Sequence, residues 1–409
     1  MGLFSKKTDE DETGELQPTP WAWRTVDGLY VSRKVNKLTG QPASVWMYRV
    51  VPTQPLAWEP VAAKIGGAQA LQSVLEEVGA RSKARPGKSA KMSDNREVHV
   101  LAVSWESPAT PSNPATPELA QYQMDAFGGF LFPKKALFIG VKLESPILDS
   151  IISDTGDGFF GSLKSNAKKL AANALGEAVP DLSLFQKDID DLEPIFRRNF
   201  CAIPTAEQTA QLESWFNLGQ GPEKTMIEQK DHIIVDGVDK LEFNILMGFS
   251  NPIMHAPGSD WLYEAMTHYS PARVVSLRAQ LEPSDVSRER ARRSQRRVLA
   301  DIEEQQTTSE LERSEYGSLK ELAKSFEDLT VSSQQPLLTR TSVIMARRAE
   351  TQRETFKDAL SSGFGIQVKP LEHRQMWALE HTLPCSKHTL DIFPQDLSIS
   401  MVAHSGIWG

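Results

Sequence analysis

The chain has 409 residues, 40 % hydrophobic and 24 % charged, which is enough apolar material for packed cores and excludes wholesale disorder. Its length predicts two or three domains. A formal net charge of −8 argues against nucleic acid as the main partner, and two widely separated cysteines, Cys201 and Cys385, exclude a disulfide framework and read as ordinary thiols of a reducing compartment.

Residues 1–19 are polar and acidic and read as a disordered tail. The start resembles a myristoylation signal but carries Lys6 where Ser or Thr is needed. A folded α+β unit is expected over 20–144. Leu29 to Val35 and Val45 to Val51 form a hairpin across a turn-rich link, and Leu71, Val74, Leu75 and Val78 recur at helical spacing. Glu97 to Trp105 alternates like a strand, setting Val98, Val100 and Ala102 against Glu97, His99 and Leu101. Pro108 to Pro117 reads as a loop. Ala126 to Leu143 is the most apolar stretch, yet Pro133, Lys134 and Lys135 divide it, so it is too short and broken to span a bilayer. Phe127, Phe130, Leu131 and Phe132 read as a strand entry or a shallow membrane contact.

Residues 145–200 are expected to be mainly helical, with an amphipathic helix over 205–218 capped by Thr205 and Gln208. From 201 to 384 a second α+β domain is expected. Asp236-Gly237 between His232–Val235 and Leu241–Gly248 marks a hairpin. Strand, long charged helix (284–329), strand, helix, strand and helix then follow in order to Leu383-Pro384. Residues 385–409 read as a loop. The fold class is therefore α+β, mixed sheets covered by helices, with a long charged helix in the C-terminal half. No internal repeat is evident.

Motifs for chemistry fall short one by one. Ser82 to Ser89 ends in Gly-Lys-Ser, but Ser82 replaces the first glycine of a phosphate loop and Pro86 removes a backbone donor, so a basic loop is the simpler reading. Gly156 to Gly161 reads as a hinge. His381, Cys385 and His388, with Asp391 and His404 beyond, match no familiar zinc spacing. Carboxylate pairs (Asp190 with Asp191, Glu303 with Glu304) sit in polar helical settings. No catalytic residue, metal ligand or cofactor-binding residue is assigned. The candidate binding residues are Arg288, Arg292, Arg293, Arg296 and Arg297, part of six arginines within residues 288–297. At helical spacing they make a basic stripe that either grips an acidic partner or is a solvated face paired with Asp301, Glu303 and Glu304. Leu319, Leu322, Phe326 and Leu329 follow as a heptad-like apolar stripe.

The order of elements over 272–384, with the edge strand Ala272 to Arg278, the Arg/Glu-rich helix, Gly363 to Pro370, Trp377 and the Leu383-Pro384 exit, resembles the N-terminal region of type IV secretion ATPases, the motors of conjugative transfer. The resemblance implies a docking region that binds inner-membrane secretion-complex proteins and neighbouring copies in a homo-oligomer. The chain would be cytoplasmic and peripheral to the membrane. It also implies that ATP belongs to a downstream motor domain whose motifs have no counterpart here. A stand-alone adaptor binding an acidic protein through the arginine stripe is the alternative.

Overall fold

The computed structural model describes residues 23–32, 42–53, 61–81, 95–108, 116–127, 130–145, 181–216, 226–235, 239–249, 260–267, 272–283, 337–348, 353–386 and 394–409, together with Val286, Glu289, Arg292, Arg293 and Arg296. The acidic tail, the Ser82–Ser89 and Gly156–Gly161 loops, the 319–329 stripe and the Glu303–Glu304 pair lie outside the described residues.

The strands are β1 (Trp23–Val26), β2 (Leu29–Ser32), β3 (Val45–Val51), β4 (Arg96–Pro108), β5 (Leu131–Lys142), β6 (Met226–Glu228), β7 (Ile233–Val235), β8 (Asp239–Phe249), β9 (Val274–Glu282), β10 (Leu337–Arg348), β11 (Ile366–Pro370) and β12 (Gln395–Ser398). The helices are α1 (Val61–Arg81), α2 (Pro117–Phe127), α3 (Gln186–Arg198), α4 (Ala206–Phe216), α5 (Trp261–Thr267), α6 (Arg353–Phe364), α7 (Gln375–Thr382) and α8 (Ile399–Ala403). The architecture is α+β. All 12 strands join one antiparallel sheet in the order β1-β2-β3-β5-β4-β9-β10-β8-β7-β6, with β11 added to β8 and β12 to β10. The stretches expected as separate units, 20–144 and 201–384, thus meet inside a single sheet at the β4–β9 pair, which runs from Arg96↔Leu281 to Val103↔Val274.

That order contains a duplication that the sequence does not reveal. Outward from the β4–β9 pair, one half reads β4-β5-β3-β2-β1 and the other β9-β10-β8-β7-β6. Each half is a short hairpin, a strand, a helix (α1 or α5), a strand, a connecting segment and a returning strand; that segment carries α2 in the first half and is described in the second only at residues 286, 289, 292, 293 and 296, all helical. The central strands are antiparallel, so the halves are related as by a two-fold axis through that pair. The packing agrees, since α1 and α5 cover the same face of the sheet.

Both faces are buried. On the first, Val98, Val100 and Ala102 of β4 and Val275, Leu277 and Ala279 of β9 pack under α1, α3, α5, α6 and α8. On the second, Trp46, Leu101, Phe138 and Phe243 pack under α4 and α7 through Leu212, Met376, Ala378 and Leu379. Two-sided burial explains why Leu101 and His99, placed opposite Val98 and Val100 by the alternation, are no more exposed than they are.

Local signals account for several elements. Asp27 and Gly28, both at positive φ, make the two-residue turn joining β1 to β2; β7 and β8 pair antiparallel up to Val235↔Asp239, and residues 236–238 lie outside the described residues. The Thr205–Gln208 capping box is present in both directions. At α2, the Thr116 hydroxyl accepts from the Leu119 amide and Pro117 occupies the first helical position. Residues 394–409, expected as loop, instead contribute β12 and α8 to the core. Trp408 lies against Gly67 of α1, where a Cβ would overlap its ring, and donates from Nε1 to the Ala403 carbonyl at 2.9 Å. The Ser405 carbonyl meanwhile accepts from the amides of Leu262 and Tyr263 in the first turn of α5. The C-terminal segment thereby ties a helix of one half to a helix of the other. Among the described residues no helix is long and apolar enough to cross a membrane.

Candidate functional site

The densest collection of reactive side chains lies on the second face, beside the junction of the halves. Tyr48 on β3, Gly140 on β5, His99 on β4 and Arg278 on β9 form one cross-strand row. Gly140 has no side chain, and the Tyr48 ring lies where a Cβ at 140 would stand. The tyrosine therefore passes over β5, and its hydroxyl meets His99 Nδ1 at 2.8 Å. His99 Nε2 is 2.9 Å from Ser276 Oγ, which is in turn 3.1 Å from His381 Nδ1 and 3.3 Å from the His381 carbonyl.

The partners fix the protons. A hydroxyl has one proton and two lone pairs, and a carbonyl can only accept. Ser276 thus donates to the His381 carbonyl and accepts from N–H groups on His99 and His381. With Nε2 of His99 protonated, Nδ1 accepts from Tyr48 O–H. In this pattern each of the four hydrogen bonds has one donor and one acceptor.

Arg278 closes the cluster. It is 1 % exposed, donates from Nε to the His381 carbonyl at 2.6 Å and from Nη1 to the Ser386 carbonyl at 2.9 Å, donates from Nη2 to the Leu383 carbonyl, and lies 5.4 Å from the centre of the Trp46 ring. These carbonyls belong to the end of α7 and its exit. Pro384 stops the helix there, and the last carbonyls of a helix have no partner within it. A guanidinium supplies the missing donors and complements the negative helix end. Gln375 secures the other end of α7, accepting from the Phe243 amide at 2.8 Å and donating to the Phe243 and Leu371 carbonyls. Burial pushes the Tyr48 hydroxyl and the Cys385 thiol well above their ordinary values, with Arg278 opposing in both cases.

Tyr48, His99, Ser276 and His381 are each 0 % exposed. A nucleophile has to present its oxygen to a substrate with a base in reach. Here the Ser276 oxygen is surrounded by protein and its proton is committed to a carbonyl. The arrangement anchors α7 and its exit to the sheet. The sequence analysis missed it because its members lie on four elements. The available signals were Gly140 inside an apolar run and charged or polar residues at inward strand positions.

Of the arginine stripe, Arg292, Arg293 and Arg296 are helical and exposed, and Arg293 pairs with Glu289 at 2.6 Å; Arg288, Arg297 and the downstream acids Asp301, Glu303 and Glu304 lie outside the described residues. The long charged helix is therefore described only at these scattered positions. Of the histidine–cysteine group, His381 and Cys385 sit on the second face and His404 closes α8 on the first, while His388 and Asp391 lie outside the described residues. Among the described residues no three His, Cys, Asp or Glu side chains are grouped to hold a metal. Asp190 and Asp191 lie on an exposed face of α3, bonded to Gln186 and Arg81. Cys201 and Cys385 are both free thiols.

The exposed apolar side chains gather elsewhere. Leu119, Tyr122 and Met124 of α2 stand out with Phe130 at the tip of the β4–β5 hairpin, and Phe200, 82 % exposed and held at φ 58°, stands with Ile203 beyond α3. No family model matches this chain, and no curated protein matches it in sequence.

Proposed function

We propose that this chain is the docking and assembly region of a conjugative transfer (type IV secretion) ATPase. It binds inner-membrane secretion-complex proteins and neighbouring copies from the cytoplasmic side, and ATP hydrolysis resides in a separate motor domain. The observation that carries the reading is the contrast between interior and surface. The side chains suited to chemistry are sealed in a structural lock, while exposed aromatic, aliphatic and arginine side chains sit on projecting tips and turns. A rigid sheet with two covered faces and adhesive ends suits a scaffold. The order β9, β10, α6, β11, α7 is the part of the element order behind the resemblance that the described residues contain.

The test is recruitment of the full chain to membranes from cells that do or do not carry the secretion complex. Enrichment only where the complex is present, lost in the Phe200→Ser/Ile203→Ser variant, supports the reading; equal distribution between the two membranes refutes it. Truncating residues 20–145 is unsuitable, because it removes half of the sheet. The second reading, an adaptor that binds an acidic protein, is favoured by the exposure of Arg292, Arg293 and Arg296, and their replacement by Glu would then abolish capture of that protein with the fold intact.

A further inference from the structure

Phe200 stands where two unfavourable effects meet. Helix α3 ends in a turn in which the Cys201 N–H donates to the Phe196 carbonyl at 2.9 Å and the Phe200 N–H to the Arg197 carbonyl at 3.2 Å, with Asn199 as the C-cap. This motif sets the residue after the cap at positive φ, a place that glycine ordinarily fills because it has no Cβ. Here a phenylalanine holds φ 58° and is 82 % exposed. Neither the strained backbone nor the solvated ring helps the fold, and strain that the surrounding structure upholds points to a function.

The chain then runs beside β3. Ala202 and Val50 exchange both backbone hydrogen bonds, at 2.9 and 2.8 Å, as an antiparallel pair. The residues flanking such a pair aim their backbone groups the other way. The Ile203 N–H and C=O therefore point away from β3, and neither makes a backbone hydrogen bond among the described residues. Ala202 and Ile203 are exposed, and Pro204, which has no N–H, ends this short edge. The spare charge beside it is positive. Arg197 is exposed in the last turn of α3 and has no ion pair among the described residues; Glu193, one turn back, is taken by Arg49 at 2.5 Å, and Glu77 by Arg198.

We propose that this edge is the docking site for an extended, acidic segment of a partner protein, which adds as a strand along Ile203. The segment's backbone pairs with the Ile203 N–H and C=O, its apolar side chains cover Phe200 and Ile203, and a carboxylate meets the Arg197 guanidinium. An unpaired strand edge bordered by apolar side chains is a template for such addition. The ladder is short, so the Phe200 ring is the anchor that carries most of the affinity. The inference deepens the docking reading above by naming how this patch takes its partner. Peptide binding is measured on the purified chain and recruitment in membranes, so either can fail alone.

The probe is a library of random dodecapeptides displayed on phage, panned against the full chain with the Phe200→Gly chain as counter-selection. The dominant peptide is then synthesised and its affinity read by fluorescence anisotropy. It is expected to alternate apolar residues with others that include Asp or Glu. Phe200→Gly and Ile203→Pro, which removes the edge donor, should each weaken it by about tenfold or more. Arg197→Ala should weaken it less and lower its sensitivity to salt. N-methylation along the peptide should abolish binding at alternate amides and leave it unchanged at those between. Phe200→Gly should also keep or raise the urea midpoint, since glycine relieves the backbone strain, so its loss of binding is not a loss of fold. A library with no sequence enriched over the Phe200→Gly control, a Phe200→Gly chain that binds the peptide like wild type, or an N-methylation pattern without alternation overturns the proposal.

Discussion

Tyr48 and His99 stand on strands separated by β5 and share a 2.8 Å hydrogen bond across it, because the residue between them is Gly140. A missing side chain on one strand thus decides whether groups on its two neighbours meet, and through Ser276 and Arg278 it decides how α7 is held. Replacing Gly140 with valine forces the tyrosine ring out of its seat. The expected cost is overpacking of about 1–3 kcal/mol plus the disrupted hydrogen bonds, read as a lower urea midpoint. Tyr48→Phe keeps the ring and loses only the hydroxyl, so its loss is expected to be smaller. Equal midpoints for Gly140→Val and wild type would contradict the account.

The C-terminal segment makes a second prediction. Trp408 is 1 % exposed and occupies the space left by Gly67. Trp408→Ala should cost about 3–5 kcal/mol, the range for a large aromatic truncated in a core. Gly67→Leu should compete for the same space and expel the ring. Thermal unfolding followed by tryptophan fluorescence reads both, and a Trp408→Ala loss below about 1 kcal/mol would indicate that the segment is not part of the core.

Asn244 is 0 % exposed, and among the described residues neither polar atom of its side-chain amide has a hydrogen-bond partner. A buried amide left unbonded costs free energy that an apolar residue of similar size does not. Asn244→Val, which also suits a strand, is expected to raise the urea midpoint by the equivalent of about 1 kcal/mol. A fall in the midpoint would mean that the amide has a partner in solution, such as a buried water.

Stability should peak in mildly alkaline solution. Burial holds Lys135 down at about 7, against about 10.4 for an unfolded lysine. Its contribution is therefore complete above the unfolded value and is lost as pH falls through 7. Burial pushes the Cys201 thiol up to about 12, against about 8.5 in the unfolded chain. That contribution is complete below the unfolded value and is lost as pH climbs toward 12. His404, lowered by burial against the pull of Asp260, adds a loss as pH falls below its unfolded value of about 6.5. Burial pushes the Cys385 thiol up as well, so above about 8.5 the two thiols together outweigh Lys135, and the midpoint should rise from pH 7 to about 9 and then decline. Lys135→Met should flatten the rise, and Cys201→Ala should reduce the alkaline decline. A profile flat from pH 7 to 9 in wild type would refute the Lys135 assignment.

Much of the secondary structure was legible because its causes are local. Leu71, Val74, Leu75 and Val78 recur at helical spacing and form the buried stripe of α1; β7 and β8 pair antiparallel on either side of Asp236-Gly237, as expected of a hairpin, although those two residues lie outside the described ones. The arginines at 292, 293 and 296 were recognisable as a helical basic stripe for the same reason. The Asp27-Gly28 turn and the helix start at Thr116-Pro117 were not read from the sequence, and the structure supplies both β1 and α2.

Other features depend on which strands become neighbours. The sequence by itself determined many of the strands and helices, among them the buried stripe of α1 and the alternation that sets His99 opposite Val98 and Val100, but not β1, α2, β12 or α8. The tertiary structure alone decided that both faces are covered, that two halves without evident sequence repetition share one topology, and that four distant side chains meet over Gly140. The physical reason is range. Helical periodicity and turn conformation are set within a few residues, whereas strand order is set by how well whole faces bury one another, and a hydrogen bond between residues 48 and 99 exists only after that choice has been made.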